Sequence, residues 1–197
     1  MEFWTQEEFQ AFLECVADKP ISYYAFEMLY WTGIREGELL ALTPSDFNFE
    51  KKTLRINKSY QRLEGKDVIT DPKTPKSNRT IVMPDFLAVE MEDFINSLYG
   101  IRDDDRIFTI SKSYLHHEMD RGAKLAGVKK IRIHGLRHSH ISLLINLGFS
   151  ALAIGERVGH EAVDITYHYA HLFPTVQTDM AAQLETEREA LVNVRKE

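Results

Sequence analysis

The sequence predicts an α+β fold, mostly helical with a small antiparallel β-sheet. Two observations predict it. Apolar residues recur at helical spacing through most of the chain, and between Phe47 and Pro84 the pattern changes to short β-type runs separated by polar turns. With 197 residues, 44% of them hydrophobic, the chain can bury a good core, as one large domain or a domain plus a tail.

Taken in order, Thr5-Gln-Glu-Glu8 has the form of a capping box, and Phe9, Phe12, Leu13 and Val16 follow at helical spacing. After Pro20 the aromatic-rich run from Ser22 to Trp31 predicts a second helix, stopped at Gly33. A third helix is expected from Arg35, sending Leu39, Leu40 and Leu42 to the core and ending at Pro44. TLRIN, SYQRL, VIT and RTIVMP then read as strands, with a turn at Gly65 to Asp67 and a polar connection from Asp71 to Asn78. Pro84 and Asp85 open a helix that runs toward Gly100, and the acidic stretch Arg102 to Asp105 is a loop. IFTI is expected as a short buried strand, and Ser113 to Ala126 as a helix closed by Gly127. His134 begins another helix, with Leu136, Ile141, Leu144, Ile145 and Leu147 inward and Gly148 as its stop. Ala151 to Val158 is a short helix, and Asp164 is placed to cap the helix that carries Tyr167 and Tyr169 before Pro174. Thr178 to Lys196 reads as a charged amphipathic helix.

Composition narrows the function. A single cysteine, Cys15, excludes a disulfide framework or a cysteine-rich zinc site. No signal-like leader and no apolar run near the roughly 18 residues of a membrane span are found, so a soluble protein of the cytoplasm, with no membrane partner, is expected. The net charge of −6 is unevenly spread. Acids dominate the first 50 residues, whereas 51–80 and 121–138 are basic, the latter without a single acid. Two basic segments on an acidic protein could form one DNA-facing surface, with solvated loops and strands as the plain alternative.

The chemistry concentrates between His134 and His171, where histidines, Arg137 and tyrosines crowd around one apolar helix. Cations can hold a phosphate while a phenol attacks it. His134 and Arg137 are three apart at a helix N-terminus, where free backbone N–H groups also favour an anion. Arg35 follows a glycine turn and can enter a cleft with Glu38 orienting it, although a surface Arg35–Glu38 pair fits equally well. Lys73 and Lys76 sit on an exposed turn from which a lysine could reach over a bound strand as a mobile proton donor, if they are more than solvated side chains.

Taken together, TGIREGELLAL, DPKTPKSNRTIVMP, IHGLRHSHISLLINLG, ERVGH and DITYHYAHLFP, in that order, resemble the catalytic domain of the tyrosine recombinases of the phage and transposon integrase type. The resemblance implies Arg35 and Arg137 as an arginine pair, Lys73 as a mobile lysine, His134 and His160 as the histidines and Tyr169 as nucleophile. Tyr169 is preferred to Tyr167 because it precedes a small residue and a histidine. It further implies cleavage and rejoining of DNA through a 3′-phosphotyrosine link, with neither metal nor ATP nor another cofactor. Its partners would be double-stranded attachment sites, on which the chain acts as a homo-tetramer, with a monomer possible for an isolated domain. Lys76, Arg79, Lys129, Lys130 and Arg132 are the expected DNA-binding residues. Residues 1–174 would form the catalytic domain and 175–197 a helical tail open to exchange between protomers, with the family's N-terminal DNA-binding domains absent. Three rivals remain: a metal-dependent phosphodiesterase using His134 and His138 at i, i+4, a non-catalytic DNA-binding module of the same fold, and a type IB topoisomerase.

Overall fold

A computed structural model describes residues 2–71, 77–160, 162–169, 172, 181 and 184–186. The expected Lys73 and Lys76 positions, and most of the expected helix from Thr178 to Lys196, lie outside the described residues.

Helix α1 (Gln6–Val16) begins with the expected capping box. Thr5 Oγ1 accepts from the Glu8 N–H at 3.2 Å, and Glu8 Oε2 accepts from the Thr5 N–H at 2.8 Å. Its buried face, Phe9, Phe12, Leu13 and Val16, is the one that the spacing predicts. Phe9 stacks on Tyr30 with centroids 3.8 Å apart, fixing α1 against α2 (Pro20–Thr32). Gly33 ends α2 with φ +66°, its N–H bonded to Leu29 O at 3.1 Å. A Cβ there would lie 2.5 Å from the His140 ring. Gly33→Ala is therefore expected to lose more than the roughly 1–2 kcal/mol of the left-handed backbone alone, measured by denaturant unfolding.

The third helix, α3 (Glu36–Leu39), is one turn long, shorter than the expected run to Pro44, although Leu39, Leu40 and Leu42 are buried as predicted. A 3-10 turn at Pro44–Asp46 follows, in which Asp46 Oδ2 accepts from the Thr43 N–H at 3.0 Å. The chain then forms β1 (Phe47–Asn48), β2 (Thr53–Ile56), β3 (Ser59–Leu63), β4 (Lys66–Thr70) and β5 (Arg79–Val82). These divide into an antiparallel sheet of order β1-β2-β5 and a separate β3-β4 hairpin. Glu64 and Gly65 both take positive φ, 49° and 79°, and close the hairpin tightly upon itself. The inner edge of β2 is then paired by β5, with Leu54 opposite Ile81.

Helices α4 (Asp85–Ser97) and α5 (Lys112–Ala126) pack on α2 and α1 respectively. IFTI is not a strand. Ile107 and Phe108 are buried, but the Ile107 N–H bonds Leu42 O at 2.9 Å, an anchor to a loop rather than one rung of a ladder. Helix α6 (Ile133–Asn146) packs on α2, and α7 (Ala151–Val158) and α8 (Ala162–Tyr169) pack on each other. Asp164 lies in the first turn of α8 rather than at its cap, since the helix begins two residues earlier. Ile141, Ile145, Ile154, Val158, Ile165 and Tyr169 form a second apolar cluster beside the main core. Among the described residues no helix is long and apolar enough to cross a membrane.

One buried acid has a measurable consequence. Glu27 on α2 is 4% exposed, and burial, reinforced by Glu90 and opposed by a hydrogen bond from Trp31, raises its pKa to about 8. A carboxyl raised in the folded state favours folding most below its ordinary value of 4.5, and that contribution is lost as pH rises toward 8. Thermal stability should fall more steeply from pH 5 to 8 in the parent than in Glu27→Gln. Parallel slopes would refute the burial of a carboxylate at this place.

Candidate active site

The C-terminal ends of α2 and α7 converge, and four arginines meet there. Exposed carbonyls at helix C-termini carry partial negative charge, which offsets the repulsion of clustered cations. Arg137, 1% exposed, donates Nη1 to Gly33 O at 2.5 Å and Nη2 to Val158 O, so one guanidinium ties both helix ends. Arg157 donates to Trp31 O at 3.1 Å, Val82 O at 3.0 Å and His140 Nε2 at 3.0 Å. Arg79 Nε donates to Arg157 O at 2.9 Å, and Arg35 Nη2 reaches Gly159 O at 3.4 Å.

Glu38 orders two of these cations. Arg35 Nη1 bonds its Oε1 at 2.9 Å, the Arg35 N–H bonds Oε2 at 2.8 Å, and Arg79 grips both oxygens at 3.1 and 2.9 Å. Burial pushes the Glu38 pKa up, but the hydrogen bonds and charge of Arg79, followed by Arg35, outweigh it and hold the group below its ordinary value. Arg35 is therefore oriented by Glu38, and the pair is not a surface bridge.

A cleft of about 950 Å³ opens above this floor. Arg35, His134 and His160 line it together with Lys58, Lys112 and Arg132. Arg137 lies beneath, and its charge reaches both histidines. Desolvation by the cleft walls, followed by Arg137 and Arg35, lowers the pKa of His134, and the same causes lower His160 to about 4. Both rings are therefore neutral at pH 7. Each can accept a proton at one nitrogen while donating from the other.

Tyr169 sits behind the cleft, 3% exposed within the second apolar cluster, and its hydroxyl meets His138 Nδ1. Burial raises its pKa to about 12 against the opposing charge of Arg137. Tyr167 is 85% exposed on the same helix. The structure thus brings Arg35, His134, Arg137, His160 and Tyr169 to one place, and Lys73 lies outside the described residues.

The expected DNA-binding residues separate. Arg132 lines the cleft at the N-cap of α6. Lys129 and Lys130 are exposed and pair with Glu8 at 3.2 Å and Asp120 at 2.8 Å. Lys76 lies outside the described residues. Arg79 is a correction. It is 9% exposed and spent on Glu38, Ser77 O and Arg157 O, so it supports the floor and does not face solvent. The β5 alternation could have shown this, since Arg79 and Ile81 share the inward face. Arg157 was not anticipated as part of the site, and His138 was considered only as a metal ligand of the rival reading. His116, exposed on α5, also lines the cleft and lies 3.3 Å from Glu36. The pair His134 and His138 gathers no third ligand: among the described residues no three His, Cys, Asp or Glu side chains are grouped as a cation site.

The family model described as "Phage integrase family" matches residues 2–175. The ICEBs1 integrase of Bacillus subtilis (strain 168) is 33% identical over 201 aligned positions, covering 94% of this chain and 54% of that protein. The integrase of Staphylococcus phage L54a is 30% identical over 179 positions, covering 82% of this chain and 51% of the relative. The chain spans about half the length of these relatives. Among solved structures, the Tn1549 transposon integrase in complex with a circular intermediate DNA superposes with TM-score 0.76 at 21% identity, covering 95% of this chain and 65% of that one. The catalytic domain of bacteriophage HP1 integrase gives 0.65 at 19% identity, covering 93% and 94%. With the family model matching residues 2–175 and this fold beneath it, the chain belongs to the phage integrase family of tyrosine recombinases.

Proposed function

We propose that the chain catalyses site-specific DNA recombination, cleaving and rejoining strands through a 3′-phosphotyrosine intermediate on Tyr169. The observation that supports it best is the convergence of Arg35, His134 and His160 on one cleft, with Arg137 beneath and Tyr169 behind. Arg35 and Arg137 would grip the non-bridging oxygens of the scissile phosphate and hold it more tightly as charge grows in the five-coordinate transition state. Neutral His134 can take the tyrosine proton, and His160 can donate a hydrogen bond to the phosphate. Lys73 would protonate the leaving 5′-oxygen. Because one phosphodiester replaces another, a 5′-hydroxyl from a second strand can attack in reverse, and the chemistry requires neither ATP nor metal.

Double-stranded attachment sites are the proposed substrate. Lys76, Lys129, Lys130 and Arg132 are the proposed backbone contacts, in the cytoplasm of a bacterial host. Residues 1–174 would be the catalytic unit, and 175–197 a tail exchanged within a homo-tetramer on DNA. Strand cleavage of a nicked attachment-site duplex, at protein concentrations that saturate the DNA, tests the reading. Cleavage should persist in EDTA and vanish in Tyr169→Phe, with DNA binding within about twofold of the parent, since the lost hydroxyl makes no ground-state contact with phosphate. Loss of cleavage on chelation, or its retention in the variant, would overturn it.

A further inference from the structure

His138 lies one residue beyond Arg137 on α6, and no step described so far uses it. Its ring stands edge-on to His134 with centroids 4.7 Å apart, and its Nδ1 faces the Tyr169 hydroxyl. With the imidazole proton on Nε2, the Tyr169 O–H donates and Nδ1 accepts. Tyr169 is 3% exposed and packs in the apolar cluster of α6, α7 and α8, whereas Arg35, His134 and His160 line the open cleft. A buried phenol held at His138 must move to attack a phosphate bound in the cleft.

We propose that His138 is a positioning residue that acts through Tyr169, holding the nucleophile in a stowed rotamer and so setting how often it is presented to DNA. The contact does not activate the phenol. Burial, with the charges of His134 and Arg137, lowers the His138 pKa to about 4, whereas that of Tyr169 is raised to about 12, so the proton stays on oxygen in the stowed state. Proton removal then belongs to the cleft, where the arginines stabilise the developing charge. Release of Tyr169 becomes a step separate from chemistry, and its frequency is tunable at one side chain.

The proposal rests on the assignment of Tyr169 as nucleophile, and its test has two parts. In ¹⁵N-histidine-labelled protein without DNA, Tyr169→Phe should move the His138 Nδ1 resonance from the hydrogen-bonded toward the free-acceptor position. With a suicide substrate at saturating protein, His138→Phe keeps a ring of similar size without an acceptor. It should form the covalent adduct about 3- to 10-fold faster than the parent, the factor expected for one ordinary hydrogen bond. His138→Gln, which retains an acceptor, should return toward the parent rate, a rescue that a merely structural role would not give. An unmoved Nδ1 resonance would overturn the contact, and an adduct rate at or below the parent's in folded His138→Phe would overturn the stowing. Absence of adduct in the parent and every variant would instead count against the recombinase reading, while the resonance would still report the contact.

Discussion

Glu38→Ala is expected to destabilise the fold by about 3–5 kcal/mol, the range for removing one partner of a buried ion pair. The Glu38 side chain is 6% exposed, and it accepts from Arg79 through both oxygens and from Arg35 through side chain and backbone. Without it, Arg79 remains 9% exposed with its charge uncompensated, and Arg35 loses the bonds that aim it into the cleft. Strand cleavage should fall with stability. Because the Glu38 pKa is held below its ordinary value, its contribution is present above that value and is lost as pH falls through the depressed one. Acid unfolding of the parent should therefore be steeper than that of Glu38→Gln. Denaturant titration decides the magnitude, and a loss below about 1 kcal/mol would mean that the two arginines are satisfied by other groups.

Arg137→Lys should lower the single-turnover rate of adduct formation by about 10²- to 10³-fold, the effect of losing one preorganised donor to a transition-state oxyanion. Arg137 bridges Gly33 O and Val158 O, and its Nε, buried and without a hydrogen bond, is among the donors left for an anion. Burial, followed by the Arg35 charge, lowers its pKa, so an arriving phosphate relieves an unfavourable ground state. A lysine carries a compact ammonium that cannot span two helix ends and also present a planar donor edge. DNA affinity at fixed salt should change by less than tenfold, because most of the binding charge lies elsewhere along the duplex. A proportional loss of binding and cleavage would contradict a role centred on the transition state.

The elements with strong local grammar were legible in the sequence. The capping box at Thr5, the stops at Gly33 and Gly127, and the apolar spacing of α1 predicted what folds, whereas in α6 Leu136, Ile141 and Ile145 are buried as expected but Leu147 is 64% exposed. The separation of β3-β4 from the main sheet was not legible, because strand partners depend on which edge is free after the Glu64-Gly65 turn closes. IFTI shows the limit of reading buried apolar runs as strands, since burial of Ile107 needs only one backbone bond to Leu42. Arg35, His134, Arg137, His160 and Tyr169 could be named from the resemblance, and their spacing within motifs carried them. The supports Arg79, Arg157 and His140 could not, because each is defined by carbonyls or side chains distant in sequence, such as Trp31 O and Val82 O for Arg157. Charge alone placed Arg79 among the exposed basic residues; the alternation of β5 turns it inward, but its partner Glu38, 41 positions away, is not legible from the sequence.

The most direct test of the recombinase assignment is the identity of the modified residue. The protein is incubated in EDTA with a nicked attachment-site duplex whose cleaved fragment diffuses away, and the SDS-resistant adduct is digested and mapped by mass spectrometry. A nucleotide linked to Tyr169 is the expected result, with none on Tyr167, which lies two positions away and is 85% exposed. Linkage to Tyr167 or to any other side chain would contradict the assembly of the site around the buried phenol.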